Sequence, residues 1–166
     1  MNEKKLREYL TTLNRWGVNL YIFKEDRLLY RSARSGIAPL IEAVESFGVK
    51  KLSGSTVVDK IVGKAAALIL SYFKAREVYT RVISRSAARI LDENRISFYF
   101  KSLTDEIKSK DGLSICPFEL AVKEIDEPKL GYLTLRKLLK KTPAFRREQK
   151  LEDKPNYRGS SKKPNI

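Results

Sequence analysis

With 166 residues, 42% of them hydrophobic, the chain is long enough to bury the core of one domain, and its net charge of +14 points to partners that carry phosphates or to a solubilising surface. It has no histidine and a single cysteine, Cys116. These counts exclude Ser-His-Asp and Cys-His catalysis, metal sites that need imidazole, and any intramolecular disulfide.

The chain opens with a charged segment that lacks the apolar stretch of a signal peptide, which sets the expectation of a cytoplasmic protein. Residues 4–15 place Leu6, Leu10 and Leu13 on one helical face, and Gly17 closes the helix. Residues 20–23 and 28–30 read as a β-hairpin around a turn at 24–27. A loop of small residues, 32–36, leads into a helix over 37–47, with Pro39 tolerated in its first turn and Gly48 at its end.

A strand over 56–61 then runs into an apolar helix, 62–73, that opens at Gly63-Lys64. Its longest apolar run, 65–70, is far too short to span a membrane. Residues 77–83 are rich in β-branched and aromatic side chains and form the next strand. Ser84 caps a helix over 85–94, and 96–100 is a further strand. Residues 103–115 are polar and irregular, Cys116-Pro117 begins a helix reaching about residue 125, and 130–141 is a basic amphipathic helix. Beyond Pro143, apolar residues are sparse and a disordered end is expected. Residues 128–166 hold 12 Lys and Arg against 3 acidic residues, a net +9, which leaves +5 for residues 1–127.

This order predicts an α/β fold: a three-layer α-β-α sandwich on a mostly parallel five-stranded sheet, with an N-terminal antiparallel hairpin as its one antiparallel edge pair. Residues 1–127 form the α/β domain, and 128–166 a basic helix and tail. Ligands of such sheets sit beyond the carboxyl ends of the strands. Here that selects the loops 32–36 and 59–64.

The phrases GIAPLIEAV (36–44), DKIVGKAAALIL (59–70) and ICPFE (115–119), in this order, resemble a small uncharacterised prokaryotic family with a cytidine-deaminase-like fold and no assigned reaction. The resemblance covers roughly residues 4–125. It implies a deaminase-like sheet, but zinc deaminases need H-x-E after the hairpin and P-C-x-x-C after the third strand. Those positions fall near residues 35–38 and 62–66, which hold neither His, Glu nor Cys. Zinc-dependent deamination is excluded, and no metal or other cofactor is expected.

Three functional readings remain open. In the first, helix N-termini bind a small phosphorylated or nucleotide-like ligand through Ser35, Gly36, Asp59, Lys60, Gly63 and Lys64. Against it, Gly63 permits a tight turn, Lys64 points to water and Asp59 caps the next helix. In the second, Cys116 at a helix N-cap is a nucleophile or redox centre supported by Glu119, or simply a small buried thiol. In the third, the basic extension, with Lys137, Lys140, Lys141, Arg146 and Arg147, meets nucleic acid or an anionic membrane surface, or it is a docking helix with a solvated tail.

Overall fold

The computed structural model of the chain describes residues 2–143 and 146. Helix α1 (Asn2–Trp16) turns Leu10 and Leu13 inward, and Gly17, at φ +63°, ends it in the left-handed conformation that glycine adopts without strain. Strands β1 (Leu20–Lys24) and β2 (Arg27–Ser32) form the hairpin. Its two loop residues, Glu25 and Asp26, both have positive φ, +49° and +62°, which matches the twist of the strands they join.

Helix α2 (Ala38–Leu52) is interrupted at Gly48 but resumes for a further turn. Then β3 (Thr56–Val62), α3 (Lys64–Tyr72), β4 (Glu77–Ser84), α4 (Arg85–Glu93) and β5 (Ser97–Thr104) alternate. Ser84 caps α4, its Oγ accepting from the Ala87 N–H at 3.1 Å. β5 continues past the expected end at residue 100, because β4 offers a full-length ladder out to Ser84↔Thr104. Helix α5 (Pro117–Ala121) is one short turn, and α6 (Pro128–Lys140) starts on Glu127, whose carboxylate accepts from the N–H groups of Lys129 and Leu130.

The sheet order is β2-β1-β3-β4-β5. β3, β4 and β5 pair in parallel, whereas β1 is antiparallel to both β2 and β3. The sheet is therefore mixed rather than mostly parallel, and the hairpin makes two antiparallel pairings instead of one. The reason is positional: β2 takes the outer edge, and the crossover through α2 returns β3 parallel to β2. The inner hairpin strand must then run against β3.

Helices cover both faces. α1 packs one face, where Leu10 and Leu13 meet Tyr21, Val58 and Tyr79, and Tyr99 stacks on Tyr79 at 4.8 Å between ring centres. α2, α3, α4 and α6 share the opposite core around α3, whose residues Ala65 to Leu70 are all buried. Each fully buried Leu or Ile there contributes about 1.5–3 kcal/mol from area removed from water. The basic extension from residue 128 begins with α6, which lays Tyr132, Leu135 and Leu139 into this same core. Gly131 permits the close crossing, since a Cβ there would stand 2.8 Å from Leu68 Cδ1. Arg147 and the rest of the basic tail, residues 147–166, lie outside the described residues. Among the described residues, no helix is long and apolar enough to cross a membrane.

Candidate functional site

The start of α3 is an anion site, and the chain fills it itself. Gly63 is the N-cap and supplies no capping side chain, so the first N–H groups of the helix need an outside acceptor. Glu119 provides it from 55 residues away: Oε2 accepts from the Lys64 N–H at 3.0 Å, and Oε1 from the Ala65 N–H at 3.0 Å. Gly63 has φ −94°, an ordinary angle, so the glycine is not there for backbone freedom. It is there for space, because a Cβ would lie 2.2 Å from Glu119 Oε1 and 2.8 Å from Ile107 Cγ1. Burial pushes the Glu119 carboxyl above its ordinary range, against the pull of the Ala65 and Lys64 N–H groups and the Lys64 charge.

Lys64 does not point to water. Its side chain is buried, and Nζ donates to the Lys123 carbonyl at 2.7 Å and pairs with Asp126 Oδ1 at 2.9 Å. Asp126 also receives the Arg89 guanidinium at 3.0 Å. Arg89 first and Lys64 second hold the Asp126 carboxyl down at about 2. The anion-binding features expected of Gly63 and Lys64 are thus present, but Glu119 and Asp126 occupy them. A lysine buried this deeply needs such a partner.

A second cluster lies at the β1/β3 boundary. Asp59 stands opposite Leu20 on β1 and Thr80 on β4 and is only 8% exposed. It does not cap α3, which begins five residues later at Lys64 with Gly63 as its N-cap. Burial raises its carboxyl to about 7, while the N–H groups of Ile61 and Lys60 pull the other way. No cation pairs with it among the described residues. Lys60 is exposed, and its N–H donates to the Asn19 carbonyl at 2.9 Å. Asn19 Nδ2 reaches the Ala33 carbonyl at 2.8 Å, which ties the loop carrying Ser35 and Gly36 to the end of β3. Ser35 and Gly36 are exposed, Gly36 has φ +81°, and α2 begins on Ile37 without a side-chain cap.

The eight residues singled out from sequence therefore divide. Asp59 and Lys60 share one cluster with the loop of Ser35 and Gly36, and Gly63 and Lys64 form the other with Glu119. Cys116 is the N-cap of α5, as expected, but its side chain caps nothing and it is half-buried. Both oxygens of its expected helper, Glu119, are engaged on α3. Sequence reasoning missed Asn19, Arg89 and Asp126, whose roles arise only when distant segments meet. The one available signal was chemical: an apolar helix start that carries a lysine must find an acid.

No curated protein matches this chain. Residues 9–139 match the family model described as "TM1506: Domain of unknown function (DUF1893)". The crystal structure of a DUF1893 family protein (TM1506) from Thermotoga maritima is 34% identical in sequence and superimposes with a TM-score of 0.71, over 82% of this chain and 89% of that one. On this coverage, the chain belongs to the DUF1893 family.

Proposed function

We propose that the chain is a zinc-independent, deaminase-like α/β domain that binds a small nucleotide-like ligand by its base edge at Asp59, midway along β3 on its boundary with β1. The fold reading is supported by a strand order with β1 running against both neighbours, and by α2 and α3 starting where zinc deaminases carry their ligands. In this chain those starts carry Gly36-Ile37 and Gly63-Lys64.

The observation that carries the ligand reading is Asp59. It is a buried carboxyl without a cation partner among the described residues, at the β1/β3 boundary where ligands of open α/β sheets bind. Raised to about 7, it both donates and accepts near neutrality, as a nucleobase or amide edge requires. A phosphate is the poorer handle at α3, because Glu119 and Asp126 already neutralise that helix start. An anionic substituent is better served by the exposed Ser35, since the alternation along β3 sends Lys60 to the opposite face from Asp59.

The test is a thermal-shift panel of bases, nucleosides and nucleotides on the wild type and Asp59→Asn. Ligand at about 100 times its Kd adds about 2.7 kcal/mol, or roughly 5–10 °C in Tm for a chain of this size. Asp59→Asn should fold and lose the shift. A wild-type Tm that no member of the panel moves would sink this reading.

A further inference from the structure

The α1 side of the sheet carries a row of cations that nothing described so far uses. Val58, Tyr79 and Tyr99 face α1, so the two-residue period of a strand sends Lys60, Arg81 and Lys101 to the same side. Register places these three next to one another on β3, β4 and β5, each flanked by the pairs Asp59↔Thr80↔Phe100 and Ile61↔Val82↔Ser102. With strands about 4.8 Å apart, the row spans about 10 Å. Arg81 is steadied by Asn14 Oδ1 at 3.1 Å, in the last turn of α1, whose carbonyl end tolerates a cation. Lys60 and Lys101 are exposed and meet no carboxylate among the described residues. Like charges on adjacent strands repel, so this row lowers stability unless an anion covers it.

On the same face, toward β1, stands Trp16, the only tryptophan of the chain, its ring 5.2 Å from that of Tyr21, the β1 partner of Val58. It is 42% exposed at the end of α1, with the Arg31 guanidinium 5.8 Å above its ring. An exposed aromatic platform and its cation, next to a line of unpaired cations, match the demands of a single strand: bases stack while phosphates track the charges. We infer that this face binds single-stranded nucleic acid without sequence preference, Trp16 stacking on a base and Lys60, Arg81 and Lys101 meeting successive phosphates. This surface is on the opposite side of the sheet from Asp59 and does not depend on the small-ligand reading. It is also distinct from the basic tail.

The test titrates the full chain with a fluorescein-labelled oligouridylate of about 15 nucleotides and follows anisotropy, then repeats the titration with unlabelled oligouridylate and follows Trp16 emission. Three charge-matched variants are compared: Lys60→Gln/Lys101→Gln, Lys4→Gln/Lys5→Gln on the outer side of α1, and Lys162→Gln/Lys163→Gln in the tail. For single strands, affinity falls with salt at a slope of about 0.7 per phosphate contact. Losing two contacts should therefore lower affinity about 25-fold at about 0.1 M salt and reduce the slope by about 1.4. The other two pairs should change affinity far less, and binding should quench Trp16.

Equal losses in all three variants would reduce the effect to net charge and overturn the assignment. So would oligouridylate binding that leaves Trp16 emission unmoved, no binding by the wild type, or a Trp16 response to vesicles of anionic lipid but none to oligouridylate.

Discussion

Gly63→Ala is the sharpest perturbation this structure offers, since the substituted residue fits its own backbone and fails chiefly against Glu119, with Ile107 Cγ1 the lesser obstacle at 2.8 Å. The added Cβ stands 2.2 Å from the carboxylate, so Glu119 must leave the start of α3. It forfeits two hydrogen bonds made by a charged acceptor, worth about 1.5–3 kcal/mol each. Rehydration of the freed carboxylate returns part of that, so a net loss of about 3 kcal/mol is expected. With a urea m-value of about 2 kcal/mol/M, the unfolding midpoint should drop by about 1.5 M. In a Glu119→Ala background the collision with the carboxylate is gone. Gly63→Ala should then cost about 1 kcal/mol, the preference of an N-cap for glycine over alanine. The double-mutant cycle should thus show about 2 kcal/mol of coupling. Two single costs that add within about 0.5 kcal/mol would refute the claim that Gly63 exists to admit Glu119.

Asp59 makes stability depend on pH in a defined window. Its folded value, about 7, lies above the ordinary 3.8, so the folded state holds the extra proton and stability falls as pH rises from about 4 through 7. The loss is on the order of 4 kcal/mol at most; Asp59→Asn should flatten that slope in urea melts at pH 5 and pH 8, and an unchanged slope would contradict it. Asp126 works in the opposite sense: with its carboxyl held at about 2, its stabilisation is present above about 4 and is lost as pH falls toward 2, so Asp126→Asn should remove part of the acid-induced Tm decline. Gly131→Ala gains about 1 kcal/mol of helix propensity but drives a Cβ to 2.8 Å from Leu68 Cδ1. Overpacking of about 1–3 kcal/mol should win, and differential scanning calorimetry should show a lower Tm.

The fold was legible wherever the signal is local. Loop residues, glycine stops and the Ser84 cap carry their instructions in a few neighbouring positions, and alternating strands and helices leave few topologies. Pairing direction at the sheet edge was not legible, because which hairpin strand lies inside is decided by where α2 returns the chain. The end of β5 was missed for a related reason: Lys101 and Ser102 have no strand pattern of their own and are held by the ladder of β4. At the site, sequence located a helix start able to hold an anion. It did not reveal that the anion is Glu119, since the contact joins segments 55 residues apart and depends on a loop without periodicity. Of the two readings of Asp59, ligand residue or helix cap, the cap fails because strand β3 extends to Val62 and carries it away from the helix.

The clasp of Glu119 and Asp126 on α3 also fixes where this chain can be divided. All five strands and the helices α1 to α4 are complete by residue 104, so a fragment ending there has a whole sheet. Such a fragment would still hold an uncapped start on its most buried helix and a lysine without its acid, with the apolar face of α3 that α6 covers left bare. The described chain beyond residue 104 therefore acts as a keystone, and a ribosome must deliver residue 126 before the centre of the molecule is at rest.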